Sequence, residues 1–434
     1  MSTSKLGLKL GLKLGCIADD FTGATDLANN LVRSGMRVVQ TIGVPNGPLA
    51  TDVDAVVVAL KSRTIPAAEA IAQSLDALKW LQAQGHNGQS PQIYFKYCST
   101  FDSTPEGNIG PVTEALMDAL HTDFTIATPA FPDNGRTVFK GYLFAGNVLL
   151  SESGMQNHPL TPMTDANLVR VMQAQTKRKV GLIDYKTVAL GEAAIRERIS
   201  ALRAEGVGVA VVDATSNDDL HLLGPALKDM PLVTAGSGVA IGLPANFGLK
   251  PSLQASQLPA PGGLQAVVSG SCSLATNAQV AHFKATGRPA MAIDPASLMN
   301  GQSDAVVQQV LAWAAPLLHE GPVLVYSTAE PEAVKAVQAQ LGVAEAGALV
   351  EHALAAVARG LVDLGVQQLV VAGGETSGAC VQALGIAQLQ IGPQIDPGVP
   401  WCHAPSSTGG VHITLKSGNF GTDDFFTKAF GALR

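Results

Sequence analysis

The sequence predicts an α/β protein of two α/β domains, the N-terminal one a parallel-sheet layered domain. Short apolar runs alternate with stretches of helical periodicity, which is the signature of βαβ units. Several of those runs are apolar throughout, as expected of strands buried on both faces. Between them and a second set of the same kind lies a Pro-, Ser- and Gly-rich stretch, residues 249–263, that lacks any period. The expected division is therefore 1–248, a linker at 249–263, and 264–434. A length of 434 residues agrees with two or three domains.

In chain order, the first strand runs through Leu14 and ends abruptly at Asp19 and Asp20. Helical spacing resumes at Ala24, Leu27, Ala28, Leu31 and Val32, so the two aspartates sit where a strand feeds a helix. Ligands bind at that end of a parallel strand, because polar turns and helix N-termini lie side by side there. A helix cap made by Thr22 or Asp19, leaving Asp20 to face a ligand, is the expected local arrangement. Val38–Ile42 and Asp54–Leu60 read as the next strands, the second ending in Lys61-Ser62-Arg63-Thr64. A helix follows from Pro66, and then the strand Gln92–Tyr97, which carries Lys96 among apolar residues. A lysine so placed costs several kcal/mol unless it snorkels, is paired, or has a function. Asp102 and Ser103 follow it. The strand Phe124–Thr128 leads into a breaker-rich loop bearing Arg136, and 142–167 reads as loop. Carboxylates, Arg63, Lys96, Asp102 and Arg136 are thus expected along one sheet edge.

Lys179–Ile183, Val207–Ala214 and Leu232–Ala235 continue the layer, and Gly236-Ser237-Gly238 opens a helix as an anion seat or a close-packed turn. Beyond the linker, Gln265–Ser269 ends in Gly270-Ser271-Cys272-Ser273, and Gln368–Ala372 ends in Gly373-Gly374-Glu375-Thr376-Ser377-Gly378. Strand, glycine or serine turn, then helix is how α/β layers present backbone N–H groups to phosphate, although neither turn is a Walker A sequence. Near the C-terminus, Lys416 reads as an ordinary surface lysine and Gly418-Asn419-Phe420-Gly421 as a functional loop.

Composition narrows the classes further. A formal net charge of −7 disfavours nucleic-acid and anionic-membrane partners, but permits an anionic metabolite held by a few local cations. Five scattered cysteines give neither a disulfide framework nor a zinc site, and predict a reduced, cytoplasmic protein. No apolar run is long enough for a membrane span. The repeated Lys-Leu-Gly-Leu before the first strand reads as a leader without a catalytic role.

The ordered set Ala18-Asp19-Asp20-Phe21-Thr22-Gly23-Ala24, Lys61-Ser62-Arg63, Phe95-Lys96 with Asp102-Ser103-Thr104, Val268–Ser273 and Gly373–Gly378 resembles the four-carbon acid sugar kinase family. Within it, Ala130–Thr137, Gly154–Met163 and Lys416–Gly421 look most like the 3-oxo-tetronate 4-kinase branch, with threonate and erythronate kinases as near relatives. The resemblance implies an N-terminal acid-sugar domain and a C-terminal ATP-binding domain, with Mg²⁺ accompanying ATP and phosphate delivered to the C4 hydroxyl. Phosphoryl transfer to an alcohol needs a carboxylate for the hydroxyl proton, which points to Asp20 with Asp19 as its competitor, and an acid sugar needs contacts expected from Thr22, Arg63, Lys96, Asp102, Ser103 and Arg136. The resemblance implies that Ser271, Ser273, Gly373, Gly374, Glu375, Thr376, Gly418 and Asn419 meet the nucleotide. A homodimer is the expected assembly of such a metabolic enzyme. A non-catalytic acid-sugar sensor is the competing class; a dehydrogenase is disfavoured because no Gly-x-Gly-x-x-Gly follows the first strand.

Overall fold

The computed structural model describes residues 11–49, 53–85, 90–101, 104–157, 161–298, 302–327, 343–405 and 410–433. Most of the Lys-Leu-Gly-Leu leader lies outside them. The chain divides into two compact units, Met1–Ala255 and Ser256–Arg434. Among the described residues, no helix is long and apolar enough to cross a membrane.

The first unit opens with β1 (Leu14–Ala18), α1 (Phe21–Arg33), β2 (Val38–Ile42), β3 (Ala55–Ala59), α2 (Ala67–Ala83), β4 (Gln92–Lys96), α3 (Ile109–Ala119) and β5 (Thr125–Thr128). After β6 (Arg136–Phe139), β7 (Tyr142–Ala145) and β8 (Val148–Leu149), the chain returns through α4 (Leu168–Gln175), β9 (Lys179–Ile183), α5 (Tyr185–Ala189), α6 (Glu192–Ala204), β10 (Val207–Val212), α7 (Asn217–Ala226) and β11 (Leu232–Ala235). Its main sheet has the order β2-β3-β1-β4-β11-β5-β10-β9. Each neighbouring pair in it is parallel. Both faces of β1 and β3 are buried, which explains their unbroken apolar sequences. Helix α2 approaches so closely that a side chain at Gly15 would press on Leu81.

Register sets the positions of the functional residues. Ala18 lies level with Ala59 on one side and Lys96 on the other, and Ala235 is also level with Lys96. Whatever follows those residues therefore emerges along one sheet edge.

Two local expectations are corrected here. The breaker-rich loop bearing Arg136 runs into β6, and the segment 142–167 read as loop contains β7 and β8; the three strands form a separate antiparallel sheet. Gly141 and Gly146 supply the left-handed turns between its strands, at φ 76° and 62°. After β11 the chain makes a 3₁₀ segment, Gly238–Gly242, in place of the expected helix.

The second unit contains β12 (Leu264–Ser269), α8 (Leu274–Ala285), β13 (Ala290–Ala292), α9 (Ser303–Leu317), β14 (Val323–Tyr326), α10 (Val343–Asp363), β15 (Val366–Ala372), α11 (Gly374–Ala383), β16 (Gln388–Asp396), β17 (Val399–Ala404), β18 (Val411–Lys416) and α12 (Phe425–Lys428). Its strands follow the order β13-β14-β12-β15-β18-β17-β16. They are parallel from β13 to β18 and antiparallel from β18 to β16. Ser269, Ala372 and Lys416 lie level on adjacent strands, so the three turns that follow them share one edge. Val267, Val280, Phe283, Trp401, Phe425 and Phe430 build the core beneath. The Trp401 indole N–H is satisfied inside it by the Ala429 carbonyl, at 2.7 Å.

Candidate active site

The carboxyl-terminal edge of the first sheet gathers four ionisable side chains. Asp19 continues β1, its N–H donating to the Lys96 carbonyl and its own carbonyl accepting from Ser62 N–H. That pairing holds the segment after β3 alongside, and brings in Arg63. The guanidinium grips Asp19 through Nε to Oδ2 at 2.9 Å and Nη2 to Oδ1 at 2.8 Å. Nη2 also reaches Asp20 Oδ1, at 2.6 Å. Lys96 Nζ lies 3.5 Å from the same oxygen. The Lys96 side chain is 4% exposed and that of Asp19 8%, against 22% for Asp20 and 24% for Arg63. The lysine therefore does not snorkel; it is buried and paired.

Asp20 is itself the N-cap of α1, its Oδ1 accepting from Gly23 N–H and its Oδ2 from the Thr22 hydroxyl. This corrects the expectation that Thr22 or Asp19 caps the helix while Asp20 stands clear. An extended backbone at Asp20 turns its carboxylate back over the first helical turn, whereas Asp19 is held by Arg63. Gly23 is required at that turn, because a Cβ there would fall on Lys96 Nζ and Asp20 Oδ1.

The two carboxylates differ electrostatically. Burial works to raise the pKa of Asp20, but Arg63, Lys96 and the bonds from Thr22 and Gly23 outweigh it and hold the group well below the ordinary carboxylate range. At Asp19 burial prevails over Arg63, and the pKa rises. Burial opposes the Lys96 ammonium, yet Asp20 and Asp19 more than compensate and raise its pKa.

The structure adds residues that sequence reasoning missed. Asn108 donates to the carbonyls of Ser62, Arg63 and Ile65, and so fixes the segment bearing Arg63. Asp26, buried on α1, accepts from the Ser237 hydroxyl at 2.5 Å, and Asn30 donates to the Ser237 carbonyl. Burial pushes the Asp26 pKa up to about 7. Its Oδ1 has no hydrogen-bond partner among the described residues. The available signal is the polar set Asp26, Asn29 and Asn30 at helical spacing beside the apolar Ala24, Leu27, Ala28 and Leu31 of the same helix. Arg136 starts β6 in the separate small sheet, where it donates to the Asn134 carbonyl at 2.9 Å. Asp102 and Ser103 lie outside the described residues.

In the second unit, the turns after β12, β15 and β18 converge. Ser273 caps α8, accepting from Thr276 N–H, and its hydroxyl donates to the Gly418 carbonyl at 2.5 Å. Ser271 lies beside it, with the two hydroxyl oxygens 3.3 Å apart. Gly373 precedes α11 with φ 122°, and a Cβ on it would meet Thr376 Oγ1 and the Ser271 amide. Gly374 and Glu375 are exposed in the first turn of α11, and Asn419 is exposed in the last of the three turns. Lys416 departs from expectation: it is fully buried, and its Nζ donates to Thr276 Oγ1 and the carbonyls of Ser417, Gly418 and Phe420 at 2.9–3.2 Å. The loop after it folds back over the strand end and encloses the amine, whose pKa burial lowers to about 7. Among the described residues, no group of three or more His, Cys, Asp or Glu is placed to hold a metal ion.

Comparison with known proteins adds an independent line. Residues 14–243 match the family described as a sugar-binding N-terminal domain, and 266–426 the family described as a nucleotide-binding C-terminal domain. A 3-oxo-tetronate kinase of Burkholderia multivorans is 61% identical over 97% of both chains. Another from Pseudomonas fluorescens is 60% identical, again over 97% of each. A solved structure from Salmonella typhimurium LT2, provisionally described as a tRNA synthase, is 47% identical, covers 96% of this chain and 98% of that one, and superposes with a TM-score of 0.85. With both halves matched in order and the likeness to these kinases running nearly end to end, the chain belongs to the four-carbon acid sugar kinase family.

Proposed function

We propose that this chain transfers the γ-phosphate of ATP to the C4 hydroxyl of 3-oxo-tetronate, giving 3-oxo-tetronate 4-phosphate and ADP. The observation that carries this reading is the cluster of Asp19, Asp20, Arg63 and Lys96 at one sheet edge, in a chain so similar to 3-oxo-tetronate kinases. A four-carbon acid sugar needs a cationic partner for its carboxylate and acceptors for its hydroxyls. Arg63 Nη1 has no hydrogen bond to a described residue, so this side chain can bind a further carboxylate without releasing Asp19. Lys96 and Arg136 add positive charge, while Thr22, Asp102 and Ser103 are assigned to the hydroxyl groups.

In the reaction the C4 oxygen forms a bond to the γ-phosphorus as the bond to the β,γ-bridging oxygen breaks, and ADP carries away that electron pair. The hydroxyl proton passes to a carboxylate, assigned to Asp20 because it is the more exposed of the pair and stays ionised. A loose transition state releases that proton late, so a weakly basic acceptor suffices. Asp19 is the second candidate, its raised pKa making it the stronger base and its burial the less accessible one. Ser271, Ser273, Gly373, Gly374, Glu375, Thr376, Gly418 and Asn419 are assigned to ATP. The chain builds no cation cage among its described residues, so Mg²⁺ enters this reading only as a companion of ATP, held by phosphate oxygens and water.

The test is ADP release, by coupled assay, with 3-oxo-tetronate, D-threonate, L-threonate and D-erythronate. Highest kcat/KM on 3-oxo-tetronate is expected. Preference for one of the others reassigns the substrate and leaves the family intact. Binding of the acid without ADP release from any of them would sink the kinase reading in favour of a sensor.

A further inference from the structure

The turn after β18 is held from below by an unusual number of donors. Lys416 Nζ donates to the Ser417 carbonyl at 2.9 Å, the Gly418 carbonyl at 3.0 Å and the Phe420 carbonyl at 3.2 Å. The Gly418 carbonyl also accepts from the hydroxyls of Ser273 and Thr276. Gln279, fully buried on α8, donates through Nε2 to the carbonyls of Phe420, Gly421 and Thr422 at 3.0–3.2 Å. Five successive or near-successive peptide oxygens thus point toward α8 and the lysine.

A trans peptide carries its N–H on the side opposite its C=O. The chain has no cis bonds among its described residues. With the oxygens of Ser417, Gly418 and Phe420 drawn inward, the N–H groups of Gly418, Asn419 and Gly421 must face outward. None of these three has an acceptor among the described residues, and Asn419 is exposed while both glycines are partly so. Three amides without acceptors within four residues offer donors to an anion, beside Ser271 at the mouth of α8. The Lys416 side chain lies beneath that surface, fully buried and out of reach of any ligand; burial lowers its pKa to about 7, so its part here is to hold the carbonyls by hydrogen bonds.

We propose that Lys416 is a positioning residue for phosphate: by tethering the inner side of these peptide planes, it aims the N–H groups of Gly418, Asn419 and Gly421 at the phosphates of bound ATP. The inference rests on the reading of the second unit as the nucleotide site. Lys416 itself touches neither phosphate nor sugar. Its neutral isostere, Lys416→Met, keeps the packing but releases the three carbonyls, and the loop amides lose their common direction.

Steady-state kinetics and isothermal titration with ATP test this. In Lys416→Met the KM and Kd for ATP are expected to rise about 10- to 100-fold, the loss of one or two charge-assisted bonds to phosphate. The KM for the acid sugar is expected to stay within about twofold, since its assigned residues belong to the other unit. A lysine that merely supported the fold would lower the active fraction, and so apparent kcat, without moving the KM for ATP. Gln279→Met, which frees the Phe420, Gly421 and Thr422 carbonyls from α8, gives a second and milder variant with an expected rise of about 3- to 10-fold. An unchanged KM for ATP in whichever of these variants folds overturns the role of Lys416. Wild-type protein that does not bind ATP overturns the nucleotide reading itself, and this inference with it.

Discussion

Replacing Arg63 with alanine separates what the ion cluster does for stability from what it does for substrate. In the folded protein both Asp19 oxygens accept from Arg63, and the Asp19 side chain is only 8% exposed. Truncating the arginine strands a charge in a place water reaches poorly. Breaking a fully buried pair costs about 3–5 kcal/mol; with Arg63 itself 24% exposed, about 2–4 kcal/mol is expected at neutral pH. Asp19→Asn alone should cost less, because Arg63 keeps its bond to Asp20. The double variant removes charge and partner together, so it should be no less stable than Arg63→Ala, with a coupling of about 1–2 kcal/mol in a urea-denaturation cycle. Strict additivity, within about 0.5 kcal/mol, would refute the claim that these groups stabilise the edge as a unit. Activity reads the other role. Both variants lacking Arg63 should show a KM for the acid sugar raised about 10- to 100-fold, the value of a charge-assisted carboxylate contact. A normal KM in Arg63→Ala would remove this residue from the substrate site, whatever the denaturation data say.

Asp20→Asn should lower kcat about 10²- to 10⁴-fold in a folded protein, and near-normal turnover eliminates it as the proton acceptor. The pH profile distinguishes its competitor: with Asp20 as base, whose pKa is held low by Arg63 and Lys96, kcat stays flat down to about pH 5. An acid limb centred above the usual carboxylate range would instead transfer the role to Asp19, whose pKa burial raises. Gly23→Ala places a methyl group on Lys96 Nζ and Asp20 Oδ1, and should reduce kcat at least about 100-fold while costing about 1–3 kcal/mol of stability. Asp26 titrates near 7 in the folded protein, above its unfolded value of 3.8, so the native state binds the extra proton between those two pH values. Its contribution is complete below about pH 4 and is lost as pH rises through 7. Asp26→Asn should therefore flatten the stability profile over that window by up to about 4 kcal/mol, seen as Tm against pH; an unaltered slope rejects the assignment.

Much of the architecture was legible because its causes are local. Strands covered on both faces must be apolar throughout, helices between them must show one apolar stripe, and strand ends must turn polar; each leaves a pattern within a few residues. That is why the sequence alone locates Asp19-Asp20, Ser62-Arg63, Lys96, Gly270–Ser273 and Gly373–Thr376 at strand ends. The hairpins of β6–β8 were less visible, since their strands are two to four residues long and interrupted by turns. The antiparallel strands β16 and β17 carry Pro393 and Pro400, which mask their strand pattern.

Other features depend on contacts between distant segments. Lys416 looked like a surface lysine because nothing in its neighbourhood shows that its own loop will fold back to offer three carbonyls, or that Thr276, 140 positions earlier, will offer a hydroxyl. The pairing of Ser237 with Asp26 spans 211 positions. The assignment of the helix cap to Asp20 followed from the direction in which β1 releases the chain and from the hold of Arg63 on Asp19. By itself, the sequence determined the layered α/β class, the residue types at each strand end and the family, because composition, period and motif order are carried one residue after another along the chain. Only the tertiary structure decided which of those strand ends meet, which carboxylate is caged and which is the cap, and which lysine is buried, because sheet register and burial bring together groups whose separation in sequence carries no trace of their contact.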